Sequence, residues 1–141
     1  MALEMLIDRA SKRFAHGSLL SEKQGIQWMM SDSAMELYAS KLMVLHAAYK
    51  IENGMDFKQE VSMAKHHVAN TLWRVCDRAM QVHGALGYSK DSPISGMLQH
   101  ARWACLADGA DEVHQRRIAE ILLRVYGETG SINSAVGGLP L

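Results

Sequence analysis

The sequence predicts an all-α protein, an antiparallel four-helix bundle, and three observations carry that reading. Apolar residues recur at alternating steps of four and three. No strand-like alternation is sustained, and glycines or a Ser-Pro pair fall where the periodic runs stop. The 141 residues suffice for one domain with a real core.

Taken in order, Ala2 to Ala15 reads as a helix broken around Gly17. The run from Glu22 to Asn53 places Ile26, Met30, Ser33, Leu37, Ser40, Val44, Ala47 and Ile51 on one stripe, and Gly54 ends it. Its small residues Ser33, Ser40 and Ala47 predict a closely approaching neighbour helix. Asp56, with Gln59 three residues on, is a start signal for a second long helix whose stripe runs from Val61 through Ala64, Val68, Leu72, Val75 and Ala79 to Val82. Gly84 and Gly87 close it. Ser92 and Pro93 form a cap and first-turn pair for a third helix through Leu106. A fourth runs from about Ala110 to Tyr126 and stops at Gly127. The bundle thus occupies 1–127, and the small, polar stretch 128–141 reads as a flexible C-terminal tail. At ~1.5 Å per residue the two longest helices each span about 45 Å, more than a small monomer needs, which predicts self-association.

Composition removes several function classes. Fifteen Lys and Arg balance fifteen Asp and Glu, leaving no electrostatic case for nucleic acid or an anionic membrane as partner. Two cysteines, Cys76 and Cys105, are too few for a disulfide framework and not spaced as a metal knuckle, so a reducing compartment is expected. The charged start, with Glu4, Asp8 and Arg9, is not a hydrophobic targeting region, and no later run approaches a membrane span. The expected location is the cytoplasm, or a mitochondrial or peroxisomal lumen in a eukaryote. Seven histidines invite a metal hypothesis. Yet His66 and His67 point to different helix faces and no His-Glu-x-x-His spacing exists, so no metal site is expected. Ten methionines on helical stripes read as core filler.

Two glycine-punctuated stretches carry the chemistry. "QVHGALGYSKDSP", Gln81 to Pro93, ends a helix by releasing Gly84 and Gly87 into a turn where backbone can approach a ligand closely. A plain helix C-cap is the other reading. "CLADGADEVHQRR", Cys105 to Arg117, sets Asp108 on a Gly turn between an apolar run and a helix. Asp108 is either a helix-capping carboxylate or a positioned base, partly desolvated by Trp103 to Leu106.

In combination these stretches resemble the C-terminal domain of the acyl-CoA dehydrogenase flavoprotein family. The first resembles its Gln-x-x-Gly-Gly-x-Gly-Tyr motif, and "ADGADEVH" its acidic motif, in the branch with Asp at the acidic position. Upstream, Arg13, Gly17 and Gln24 in "RFAHGSLLSEKQ" are similar to the family's Arg-x-x-Phe-Gly loop and following Gln. The resemblance covers Ala2 to about Leu123. Departures are Ala85 for the second Gly, His16 for Phe, Gln99 and His100 for Arg-Asp, and Ala110 for Thr.

The resemblance implies a four-helix domain that self-associates to a dimer or tetramer, binds FAD across a subunit boundary, and takes part in α,β-dehydrogenation of an acyl-CoA thioester. It assigns Arg13 and Gln24 to the FAD of a neighbouring subunit and Gln81, Val82, His83, Gly84 and Ala85 to its ADP portion through backbone contacts. Ala110, Asp111 and Glu112 would meet the cofactor where the last helix opens, and Asp108 would be the catalytic base. The family's N-terminal helical domain and middle β domain have no counterpart in this sequence. A non-catalytic helical oligomerisation or flavin-binding module is the alternative function. Arg13 and Gln24 also read as solvated side chains, and Asp111 and Glu112 as complements to the helix dipole.

Overall fold

The computed structural model describes residues 1–137, which form six α-helices and one small hairpin. Helix α1, Ala2–Lys12, buries Ala2, Leu6 and Ala10, one face at steps of four. It stops three residues short of the expected Ala15 because Arg13 turns extended (φ −86°, ψ 114°). The chain then forms strands β1, Phe14–Ala15, and β2, Ser18–Leu19, which pair antiparallel. His16 and Gly17 take φ of 50° and 83°, the two left-handed residues that a tight hairpin needs to match strand twist. The break at Gly17 is therefore a hairpin, not a frayed helix end.

A 3-10 turn, Leu20–Glu22, leads into α2, Gln24–Glu52, so Glu22 belongs to the turn and not to the helix. Gly54, at φ 66°, reverses the chain into α3, Lys58–His83. Asp56 accepts the Lys58 N–H at 3.2 Å from just outside the helix, whose N-cap is Phe57 and carries no side-chain cap. Gln59 does not reciprocate: both its amide atoms are buried without a partner.

Helix α3 is the hub and packs against α1, α2, α5 and α6. Its Val75, Cys76, Ala79 and Val82 meet Leu6, Ala10, Ile94 and Ala101 in the core. Ser33, Ser40 and Ala47 of α2 are buried, as the small-residue seam predicts. Leu37, Val44 and Ile51, on the same stripe, stay exposed. Small side chains sink into the contact line while larger ones stand at its edges.

An ion cluster also fastens α2 to α3. Glu36 accepts from Arg74 Nε at 3.0 Å and from Arg78 at 2.9 and 3.2 Å, and Arg78 also reaches Ser33. Burial pushes the Glu36 carboxyl up, but the Arg78 hydrogen bond and the two guanidinium charges outweigh it and hold it below the ordinary carboxylate range. A lowered folded value means stability present above the unfolded carboxyl's value of about 4.3 and lost as pH falls through the folded one. Melting between about pH 6 and about pH 3 should therefore fall less steeply in Glu36→Gln than in the parent chain.

Helix α4, Ala85–Tyr88, occupies a stretch expected to be a turn. Gly87 lies buried within it, and a β-carbon there would stand 2.8 Å from both His83 Cβ and the Met80 carbonyl oxygen. Gly87 thus permits α4 to lie on α3 and neither closes α3 nor opens a ligand approach. Helix α5, Ile94–Ala104, starts where Ser92 accepts the Ile94 N–H at 3.3 Å, and Leu106 falls in the turn beyond it.

Helix α6, Asp111–Thr129, runs through Gly127, and it is Gly130 that takes the left-handed cap at φ 69°. The expected boundary at 127 therefore falls inside a helix. Ala135, in a 3-10 turn at Asn133–Ala135, is buried, so this part of the expected flexible tail packs on the bundle. Residues 138–141 of that tail lie outside the described residues. The four expected helices are α2, α3, α5 and α6, with α1 contributing to the same core. Cys76 and Cys105 are buried free thiols, and burial pushes that of Cys76 up. No helix among the described residues is long and apolar enough to cross a membrane.

Candidate functional site

The site is built on the turn between α5 and α6. Two consecutive residues there are left-handed, Asp108 at φ 53° and Gly109 at φ 98°. Asp tolerates that conformation better than most side chains, and Gly adopts it freely. The turn is tied at three points. Asp111 N–H donates to the Cys105 carbonyl at 3.2 Å, Lys65 Nζ to the Gly109 carbonyl at 2.7 Å, and His114 Nε2 lies 3.2 Å from the Asp108 carbonyl. A β-carbon on Gly109 would stand 2.9 Å from the tip of the His114 side chain, which can move aside, so φ is what selects glycine.

The two readings of Asp108 differ in what its carboxylate should touch. The N-cap of α6 is Ala110, and no side chain caps the helix. The Asp108 carboxylate forms no hydrogen bond or ion pair among the described residues, so it is not spent on structure. It is exposed, however, and Trp103 and Leu106 are 57 % and 56 % exposed beside it, so the expected desolvation is not supplied by this apolar run alone. Asp108 stands on the wall of a groove of about 510 Å³ between α2, α3 and α5, whose apolar lining includes Val44, Ile51, Val68, Leu72 and Trp103. Lys65 is the other charged residue on that wall.

The remaining residues singled out in the sequence fall into three groups. Arg13 and Gln24 flank the hairpin, both exposed, and the hairpin folds back so that Leu20 N–H bonds the Arg13 carbonyl at 2.9 Å. Gln81, Val82, His83, Gly84 and Ala85 form the α3–α4 junction. Val82 is buried in the core, and His83 is anchored through Nδ1 to the Ala79 carbonyl at 2.8 Å. Gln81, Gly84 and Ala85 are exposed. Gly84 adopts φ 62°, ψ −140°, a glycine-only conformation, with open space where a β-carbon would be. Ala110, Asp111 and Glu112 open α6, whose first N–H groups face no capping side chain.

Within that third group the roles diverge. Asp111 turns toward α3, accepting from Asn70 Nδ2 at 2.8 Å, with His66 Nδ1 at 3.4 Å and Lys65 Nζ at 3.9 Å. Glu112 is exposed. No hydrogen bond or ion pair among the described residues joins the hairpin, the α3–α4 junction and the acidic turn to one another. No cluster of three His, Cys, Asp or Glu suited to a metal occurs among the described residues.

Lys65, Asn70 and His114 went unnoticed in the sequence, and only His114 stood near a motif. Lys65 reaches Gly109 across 44 residues, and no periodicity announces such a contact.

Comparison with known proteins bears on the fold and the family. The family model described as acyl-CoA dehydrogenase, C-terminal domain, matches residues 1–123. Among relatives, 3-sulfinopropanoyl-CoA desulfinase of Paraburkholderia xenovorans is 32 % identical over 124 residues, covering 86 % of this chain and 31 % of its own length. (R)-Benzylsuccinyl-CoA dehydrogenase of Thauera aromatica is 34 % identical over 122 residues, covering 86 % and 30 %. The structure of butyryl-CoA dehydrogenase from Megasphaera elsdenii superimposes with a TM-score of 0.84 at 28 % identity, over 87 % of this chain and 32 % of that one. The chain thus spans about a third of the length of the relatives it matches. A match from the first residue through most of α6, on a helical frame that superimposes on a solved relative, establishes that the chain belongs to the acyl-CoA dehydrogenase family, in the part that forms its C-terminal domain.

Proposed function

We propose that this chain serves FAD-dependent α,β-dehydrogenation of an acyl-CoA thioester, with Asp108 as the base. The observation that carries the proposal is an uncapped carboxylate on a tethered turn, standing on the wall of an apolar groove. A base must be placed before it is tuned, and a group free of structural duty on a fixed turn is placed. The thioester α-carbon presents the proton, and its apolar acyl portion suits the groove. Asp108 takes the α-proton, the released pair forms the Cα–Cβ double bond, and the β-hydrogen departs with its own electron pair. FAD supplies the two-electron acceptor when bound.

The donor set fits that cofactor. Arg13 is an exposed guanidinium in no ion pair among the described residues, Gln24 is an exposed amide, and nothing stands where a Gly84 side chain would. A guanidinium suits a diphosphate through paired donors. Asp111 fits less well, being engaged by Asn70, while Val82, whose side chain is in the core, is left its backbone for such a contact.

A second copy of the chain suits α2. Met35, Tyr38, Leu42, Leu45 and Tyr49 follow a three-four spacing, and all are exposed. This is a coiled-coil-like seam on the side away from Ser33, Ser40 and Ala47. The same seam supports the alternative, a non-catalytic helical assembly module, and cofactor content separates the two. Purified protein should scatter light as a dimer or tetramer and release FAD on denaturation, identified by chromatography. Arg13→Ala should weaken FAD retention about 10- to 100-fold, as loss of charge-assisted hydrogen bonds of about 1.5–3 kcal/mol implies. A flavin-free oligomer leaves the assembly module, and an Arg13→Ala protein that holds FAD as tightly as the parent removes Arg13 from the site.

A further inference from the structure

The Asp108 turn is held from below by a side chain of the hub helix. Lys65 on α3 sends its ammonium 2.7 Å to the Gly109 carbonyl, with the side chain 20 % exposed. Its charge is answered by Asp111 at 3.9 Å, and Asp111 is steadied by Asn70 at 2.8 Å. A charge-assisted bond to a carbonyl is about twice as strong as a neutral one, and it holds one peptide group of a two-residue left-handed turn in a single orientation. The adjoining peptide is held by His114 Nε2 at 3.2 Å from the Asp108 carbonyl, while His114 Nδ1 is buried without a partner. Donation from Nε2 leaves Nδ1 as the unprotonated nitrogen, the form that tolerates such burial. Lys65 and His114 therefore grip the two carbonyls that flank the Gly109 α-carbon, and both come from helices of the bundle.

We propose that Lys65 is a positioning residue: through the Gly109 carbonyl it fixes the left-handed Asp108–Gly109 turn and so aims the Asp108 carboxylate over the apolar groove. This inference rests on the reading of Asp108 as the base. Lys65 touches no reacting atom in this scheme and acts only through the turn. Its value lies in where the carboxylate stands, and an ångström of misplacement at a reacting group costs orders of magnitude in rate.

The first test is amide hydrogen exchange on the chain itself, followed at Asp111, whose N–H bonds Cys105 across the turn. Lys65→Met keeps the side-chain length and removes the donor. It should speed exchange at Asp111 about tenfold or more while the amides of Val75, Cys76 and Ala79 keep their protection, and Lys65→Arg should restore most of the slowing. Unchanged exchange at Asp111 in Lys65→Met overturns the tether, and loss of protection throughout α3 shows a merely structural role and overturns it also.

The second test is anaerobic flavin reduction by acyl-CoA in the FAD-loaded protein. At saturating acyl-CoA, Lys65→Met should lower the reduction rate about tenfold, and Lys65→Met combined with Asp108→Asn should be no slower than Asp108→Asn alone. If Asp108→Asn leaves the rate intact, the base reading itself fails. If Asp108→Asn abolishes reduction and Lys65→Met leaves it at the parent rate, the base stands and the positioning role is wrong.

Discussion

Flavin reduction by an acyl-CoA should fall about 10²- to 10⁴-fold when Asp108 is replaced by Asn, the range that a positioned general base contributes. The amide is nearly isosteric and cannot take a proton. The structure makes this substitution a clean one. Asp108 makes no capping bond to α6, whose N-cap is Ala110, so stability should stay within about 0.5 kcal/mol of the parent, as for exposed positions without structural partners. Asn also shares the tolerance of Asp for φ near 53°, so the turn keeps its shape. FAD content, melting temperature and bleaching rate should therefore separate, with only the last collapsing. A variant that bleaches at the parent rate removes Asp108 from the chemistry.

The relatives give this experiment its weight. One is named a desulfinase and another a dehydrogenase, each for a CoA thioester. One helical frame thus accompanies more than one outcome at the substrate, and fold-level kinship alone does not choose among them.

Where the helices lie was legible because burial imposes a period. Ser33, Ser40 and Ala47 are buried on α2, and Ala64, Val75, Ala79 and Val82 on α3, as the spacing demands. Val61 and Val68 lie on the same stripe but line the open groove, which nothing among the described residues fills. Glycines were less legible, because one residue type serves three different needs. Gly84 and Gly130 sit at positive φ and end helices, Gly127 lies within α6, and Gly87 makes room for a crossing helix. Only the surroundings tell them apart. The hairpin escaped notice because two-residue strands carry no alternation to read.

At the site, residue identity was more legible than residue connection. Asp108 stood out because a lone carboxylate on a glycine turn is unusual in local pattern. Asp111, three residues on, drew a cofactor role from its neighbours, while the fold engages it with Asn70 some 41 residues away. Long-range polar ties of this kind obey distance in space and leave no mark on the local sequence.

The same blindness hid the tie with the largest expected stability effect. Lys50, near the end of α2, donates to Glu60 Oε1 at 2.7 Å in the first turn of α3, clamping the two long helices beside their connecting turn. Glu60 is 3 % exposed, its Oε2 has no partner, and Lys50 is 15 % exposed at the side chain. Removing the cation leaves an uncompensated carboxylate in the interior. Lys50→Met should therefore destabilise the protein by about 3–5 kcal/mol, the cost of breaking a buried pair from one side. For a domain of this size that corresponds to a melting temperature lower by roughly 10–20 °C. The double variant Lys50→Met with Glu60→Gln should regain much of the loss, since neutralising both partners removes the stranded charge. The α3 dipole contributes little to this balance, because a carboxylate in a first turn gains only about 0.3–1 kcal/mol at an exposed site. Thermal melts of the single and double variants decide the matter: a double variant no more stable than Lys50→Met would mean that burial of charge is not what the pair resolves.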